Sequence, residues 1–216
     1  MQAMILAAGR GERLRPLTDN IPKPLLKVKG EALIVQQIKK LQAAGVEKIV
    51  INVSWLGDMI MDYLGDGANY GVAISYSIEP AGALETAGGI IEVLPELGQK
   101  PFIVVNSDIH TSFDYSDLNL AKDSLAHLIL VANPEHNLQG DFSLVNGQLT
   151  KSAQENYTFS GIGLYRPELF KPYAKGRRSL LSVLSNAMEN SIITGELFAG
   201  TWHDIGTLKR LEVCDL

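Results

Sequence analysis

Between residues 3 and 132 short apolar runs alternate with stretches of helical periodicity, and that alternation restricts the fold more than any other feature. Residues 3–6, 48–53, 72–77, 102–105 and 125–132 are short, apolar and often β-branched, which reads as buried strand. Residues 31–44 carry Leu33, Ile34, Ile38 and Leu41 at helical spacing before Gly45. Residues 56–64 and 86–94 read as helices stopped by Gly65 and Pro95. Strands alternating with helices predict a mostly parallel sheet covered on both faces, with ligands beyond the carboxyl ends of the strands.

After Pro134 the pattern changes. Residues 141–145 and 148–150 flank Asn146-Gly147 and read as a hairpin with a two-residue turn. Residues 158–165 read as a strand, and 167–173 and 179–190 as helices separated at Gly176. A second hairpin is expected around Thr194-Gly195, then a turn at Trp202-His203-Asp204-Ile205-Gly206-Thr207 and a short helix. No linker, repeat or low-complexity segment interrupts the chain. The expectation is one domain over 1–216, with halves at 1–133 and 134–216. With 46% apolar and 20% charged residues, such a domain can bury an ordinary core. The net charge of −5 argues against nucleic-acid and membrane-surface binding. Cys214 is the only cysteine, so no intrachain disulfide forms. With no leader-like start and no apolar stretch of about twenty residues, the expected location is the cytoplasm.

The first strand runs straight into Leu6-Ala7-Ala8-Gly9-Arg10-Gly11-Glu12-Arg13-Leu14-Arg15-Pro16, with Pro22-Lys23-Pro24 close behind. Small residues leave the backbone N–H groups bare, and Arg10, Arg13, Arg15 and Lys23 bring cations to them. A bare, positively charged turn at a strand end suits a polyphosphate. It is not the dinucleotide fingerprint, because Leu14 stands where the third glycine belongs, and no P-loop Gly-Lys-Ser/Thr occurs. On the residues alone, a strand-to-helix turn with solvated charges also remains open.

Residues 6–25 resemble the nucleotide-binding signature of the sugar-1-phosphate nucleotidyltransferases, the nucleotide-sugar pyrophosphorylases. The resemblance implies a Rossmann-like α/β domain of nucleotide-diphospho-sugar transferase type: helices on both faces of the sheet, and a small hairpin-containing wall for the sugar. It implies attack by a sugar 1-phosphate oxygen on the α-phosphorus of a nucleoside triphosphate, with release of pyrophosphate. Arg15 would hold the triphosphate and Lys23 would bridge the reacting phosphates. Leu6, Ala8, Gly9, Arg10, Gly11, Glu12, Glu79, Glu85, Thr86, Gly88 and Asn106 would line the nucleotide site. Asp108, after Val104-Val105, and Asp204, in Trp-x-Asp-Ile-Gly-Thr, match the family's metal-binding aspartates, for which Mg²⁺ is expected. Taken singly, each aspartate is also an ordinary turn-forming carboxylate.

Two glycine-rich stretches complete the motif set. Thr86 is positioned to cap a helix whose first turn, through Gly88 and Gly89, approaches the nucleotide base. Glu85-Thr86-x-Gly88-Gly89 departs from the commoner Leu-Gly-Thr-Ala form. It resembles the N-acetylmuramate-1-phosphate uridylyltransferases, short enzymes of cell-wall sugar recycling, which favours UTP. Asp141, Ser160 and Gly161 are expected to face the sugar. The family's Glu-Lys-Pro lysine is missing, since residues 150–155 read Thr-Lys-Ser-Ala-Gln-Glu. Only nine residues follow Thr207 here, so the β-helix many relatives carry is not expected. Other readings on this scaffold are a mannose-1-phosphate guanylyltransferase, a glucose-1-phosphate thymidylyltransferase, or a non-catalytic nucleotide-sugar sensor. A monomer or small homo-oligomer is expected.

Overall fold

The computed structural model describes residues 1–80, 84–151 and 155–215. The elements are β1 (Gln2–Leu6), β2 (Lys27–Val28), β3 (Glu31–Ala32), α1 (Leu33–Ala43), β4 (Lys48–Val53), α2 (Gly57–Leu64), β5 (Ala73–Ile78), α3 (Glu85–Leu97), β6 (Phe102–Asn106), β7 (Ile109–Thr111), β8 (Ala126–Val131), β9 (Phe142–Val145), β10 (Gln148–Thr150), β11 (Asn156–Tyr165), α4 (Leu180–Glu189), β12 (Ile193–Phe198), β13 (Trp202–Asp204) and α5 (Leu208–Asp215).

Nine strands form one sheet in the order β5-β4-β1-β6-β11-β8-β12-β10-β9. The first four are parallel, as expected of strands joined through helices. Its second half is largely antiparallel, with β12 alone running parallel to β8. The long strand β11 also pairs through Asn156 and Tyr157 with β9, so the outer strands close back on it and leave less free edge.

The alternation of side chains along β1 divides the core. Ala3 and Ile5 face α1 and α2, packing with Ile34, Ile38, Leu41, Ile60 and Leu64. Met4 faces α3 and α4, with Ile90, Val93, Val183 and Leu184. A third cluster packs Leu14 of the opening turn against Leu26, Leu33, Ile205 and Cys214. Leu14 and Ile205 are at most 1% exposed. Burying each contributes about 1.5–3 kcal/mol, which ties the segment around Asp204 to the first turn of the chain.

Several local expectations change. The helix expected from residue 31 begins at Leu33. Glu31–Ala32 instead pairs with Lys27–Val28 around Lys29-Gly30, both at positive φ, a two-residue hairpin turn. No hairpin forms at Thr194-Gly195, because β12 runs straight through it beside β8. Gly195 serves close packing there, since a Cβ would collide with the side chain of Leu149. Helix α3 continues past Pro95 to Leu97, forfeiting the one N–H bond that a residue at 95 would make, and ends two residues later. The helix expected over 167–173 is a single 3-10 turn, Pro167–Leu169.

Candidate active site

Strand β1 delivers the opening turn to the carboxyl edge of the parallel sheet, and Asn52, at the end of β4, fixes it there. The Asn52 carboxamide accepts the Ala7 N–H at 2.8 Å and donates to Glu79 Oε1 at 3.0 Å. Glu79 is only 7% exposed, and burial pushes its carboxyl above the usual carboxylate range. Gly89, in the first turns of α3, lets the pair come close: a Cβ there would lie 2.6 Å from Glu79 Oε1. Leu6, Ala8, Gly9, Asn52, Glu79, Glu85, Thr86 and Asn106 line this part of the cleft, which holds about 320 Å³.

The turn then bends at Gly11, with φ of 72°. Its carbonyl accepts the Thr18 hydroxyl at 2.9 Å. Beside it lies a second hollow of about 220 Å³, lined by Gly9, Gly11, Glu12, Arg13, Lys23, Ser107, Asp108 and Gly206. Lys23, held between Pro22 and Pro24, is 13% exposed at its side chain and forms an ion pair with Asp108. The two hollows share Leu6 and Gly9 and read as one continuous trough.

The arginines divide their roles. Arg10 donates to the Thr18 carbonyl at 2.8 Å and to Asp19 at 2.6 Å, and its guanidinium lies 4.0 Å over the Trp55 ring. It braces the turn from outside, and its hydrogen bond holds the Asp19 carboxyl below the ordinary range. Arg15 is not brought to the trough. Its Nε pairs with the same Asp19 at 2.9 Å, and its Nη1 lies 3.8 Å from Glu12. The 3-10 turn Glu12–Leu14 rotates Arg15 away and turns Arg13 inward, so Arg13 is the arginine that lines the trough beside Lys23.

A short ladder brings the backbones of the two aspartates side by side. Strands β7 and β13 pair antiparallel, placing Asp204 opposite Ile109, and Ile205 N–H donates to the Asp108 carbonyl at 2.8 Å. Each carboxylate has a cation of its own. Asp108 has Lys23; Asp204 accepts from Arg210 Nη1 at 2.6 Å and has His136 Nε2 at 3.1 Å. Asp204 opens on a neighbouring hollow with His136 and Arg210, and Arg13 lines both hollows. Among the described residues no cluster of three His, Cys, Asp or Glu groups could hold a metal. Two hard carboxylates completed by substrate phosphates are the usual donor set for a small divalent cation, so these residues fit one.

The remaining expectations divide. Asn106 and Thr86 face a further pocket of about 260 Å³ with Leu6, Phe159, Gly161, Leu180 and Leu181. Gly161, at φ of 80°, sits in a bulge of β11, and a Cβ there would lie 2.5 Å from Asn106 Nδ2. Ser160 is 1% exposed; its hydroxyl accepts from Ile162 N–H, and its carbonyl takes the Trp202 indole N–H at 2.9 Å. Asp141 Oδ2 accepts the Phe159 N–H at 2.8 Å and so braces the bulge. Glu85 pairs with Arg177 at 2.8 Å. Thr86 does not cap α3, whose N-cap is Leu84 without a side-chain bond. Gly88 faces the 176–178 strap, not the cleft: its N–H donates to the Arg178 carbonyl at 3.1 Å. Residues 81–83 of the second glycine-rich stretch, and 152–154 where the missing lysine was sought, lie outside the described residues.

Residues 2–147 match the family model described as "Nucleotidyl transferase". The chain belongs to the nucleotidyl transferase family. It is 50% identical to the N-acetylmuramate alpha-1-phosphate uridylyltransferase of Neisseria meningitidis serogroup B, over 98% of this chain and 96% of that one. It is 33% identical to the protein of the same name from Caulobacter vibrioides, over 94% and 91%. The solved structure of the inositol-1-phosphate CTP transferase from T. maritima shares the fold, with a TM-score of 0.78 at 20% identity over 97% of this chain and 90% of that one. The protein is therefore a nucleotidyltransferase with the α/β fold the strand–helix alternation implies. Nucleotidyltransferases of this family generally use a divalent metal ion.

Asn52 and Arg13 are the cleft residues that sequence reasoning underrated. A signal for Asn52 existed: it is the one amide in the apolar run Lys48–Val53. Arg13 and Arg15 could not be separated without knowing the 3-10 turn between them. His136 and Arg210 carried no signal, because only the β7–β13 ladder and α5 bring them to Asp204. Among the described residues no helix is long and apolar enough to cross a membrane.

Proposed function

We propose that this nucleotidyltransferase transfers UMP from UTP to N-acetylmuramate 1-phosphate, giving the UDP-sugar and pyrophosphate, in the cytoplasm and in the recycling of cell-wall sugar. The observation that carries this reading is the 50% identity across almost the whole of both chains to the Neisseria uridylyltransferase. The trough is consistent with it. The nucleoside would lie along Leu6, Asn52, Glu79 and Thr86, and the triphosphate along the bare N–H groups of residues 8–11.

An oxygen of the sugar phosphate attacks the α-phosphorus as the bond to the β-phosphate oxygen breaks, and pyrophosphate leaves. The nucleophile is already an anion at neutral pH, so no general base is needed. The protein's task is alignment and neutralisation of charge. Lys23, at the junction of the turn and β6, would bridge the α-phosphate and the incoming phosphate. Arg13 takes the role first assigned to Arg15, holding the triphosphate and the departing pyrophosphate. Asp108 and Asp204 would hold Mg²⁺, which supplies positive charge to the phosphate oxygens. Asn106 and Gly161 would border the sugar, with Asp141 supporting the bulge that carries Gly161, while Ser160, expected to face the sugar, is buried behind it.

The test pairs each nucleoside triphosphate with each of N-acetylmuramate, glucose and mannose 1-phosphates, with Mg²⁺, and reads pyrophosphate release. UTP with N-acetylmuramate 1-phosphate should give the highest kcat/KM. UTP as the poorest donor would overturn the assignment, and GTP with mannose 1-phosphate as the best pair would replace it with a guanylyltransferase.

A further inference from the structure

The pocket bordered by Asn106 and Gly161 does not end at Gly161. It adjoins a second cavity of about 380 Å³, and the two share Phe159, Leu180 and Leu181. Beyond that shared wall lie Phe142 and Leu184, 3% and 1% exposed, with Asp141 at the far end. The rings of Phe142 and Phe159 meet edge to face at 6.4 Å. Asp141 is held in place through one oxygen: Oδ2 takes the Phe159 N–H at 2.8 Å and the Asn137 amide at 3.3 Å. Leu181, in the first turn of α4, leaves 52% of its surface to solvent.

We propose that this cavity is a specificity subsite for an apolar, methyl-bearing branch on the sugar ring, such as the short N-acyl arm of an amino sugar 1-phosphate, and that Leu181 seals it. The inference rests on the nucleotidyl-transfer reading of the trough. A ring seated in the pocket that Asn106 and Gly161 line has the apolar hollow directly alongside it. The β11 bulge, braced by Asp141, turns Phe159 into the wall between the two spaces. A bare hexose leaves the hollow to water, whereas a branch removes its own methyl groups and the wall from water. Methylene-sized differences of this kind discriminate by about 10–200-fold in kcat/KM.

The test measures kcat and KM for N-acetylmuramate 1-phosphate and glucose 1-phosphate, with UTP and Mg²⁺, in the unaltered protein, Leu181→Ala and Leu181→Met. Leu181 is half exposed, so the fold should persist, and thermal melting of each variant checks that. The unaltered protein should prefer the branched sugar. Leu181→Ala should lower the branched-to-plain ratio of kcat/KM by about 10-fold, mainly through KM of the branched sugar, and Leu181→Met should restore most of it. An unchanged ratio in Leu181→Ala, including an equal loss on both sugars, overturns the subsite and leaves nucleotidyl transfer standing. Turnover of neither sugar by the unaltered protein overturns both.

Discussion

Replacing Asn52 by alanine removes two hydrogen bonds at once, and the structure allows the cost to be worked out. The Ala7 N–H, in a residue 2% exposed, loses its acceptor at 2.8 Å. A buried donor left unpaired costs about 1–3 kcal/mol. Glu79, 7% exposed, loses its donor at 3.0 Å, and a bond to a charged group contributes about 1.5–3 kcal/mol. Together the loss should be about 2.5–6 kcal/mol, a large part of the roughly 5–15 kcal/mol that holds a domain folded. Urea unfolding at neutral pH should show the midpoint falling by about 1–2 M. Asn52→Asp provides the contrast. It keeps the acceptor for Ala7 but sets a second carboxyl against Glu79, whose carboxyl burial already raises from 4.5. A further rise makes the folded state hold a proton that the unfolded chain releases. That stability is present below about pH 4.5 and is lost as pH rises through the folded value. The deficit of Asn52→Asp should therefore be larger at about pH 8 than at about pH 5. A loss below about 1 kcal/mol in Asn52→Ala, or a pH-independent deficit in Asn52→Asp, would refute the reasoning.

Other expected outcomes follow from the same geometry. Arg13→Ala should lower kcat by about 10²–10³-fold, as removal of a charge-stabilising donor does, while Arg15→Ala should change it much less; steady-state pyrophosphate release separates them. Asp108→Ala and Asp204→Ala should each abolish turnover with little change in far-UV circular dichroism. Near-normal rates in either would remove that residue from the metal site. Gly161→Ala adds a side chain at φ of 80° and 2.5 Å from Asn106 Nδ2. It should cost about 1–2 kcal/mol in thermal stability and raise KM for the sugar phosphate more than KM for UTP.

The first half of the fold was largely legible because its longer strands and helices carry their own periods, while the two- and three-residue strands β2, β3 and β7 are too short to show one. Ala3, Met4 and Ile5 alternate between two cores, and Leu33 to Leu41 shows the helical stripe that meets one of them. The second half was harder for a physical reason. Glycine has two uses, turning and close packing, and local sequence does not say which applies. Asn146-Gly147 turns, with both residues at positive φ, whereas Gly195 lies inside a strand because Leu149 needs the room. The same limit held at the site. The bare turn and Lys23 could be read directly, since a short peptide builds them. The choice between Arg13 and Arg15 depended on the pitch of one 3-10 turn. The neighbourhood of Asp108 and Asp204 depended on a three-residue ladder and on Ile205 packing against Leu14. Such long-range pairings leave no local trace.

The account stands on the two aspartates sharing one cation beside the turn that carries Arg13 and Lys23. Crystals grown with UTP, N-acetylmuramate 1-phosphate and Mn²⁺ in place of Mg²⁺ would locate that cation by anomalous scattering. One strong peak within about 2.0–2.3 Å of oxygens from both Asp108 and Asp204, and of a phosphate oxygen, is the expected result. A peak bound to one aspartate alone, or to neither, would contradict it.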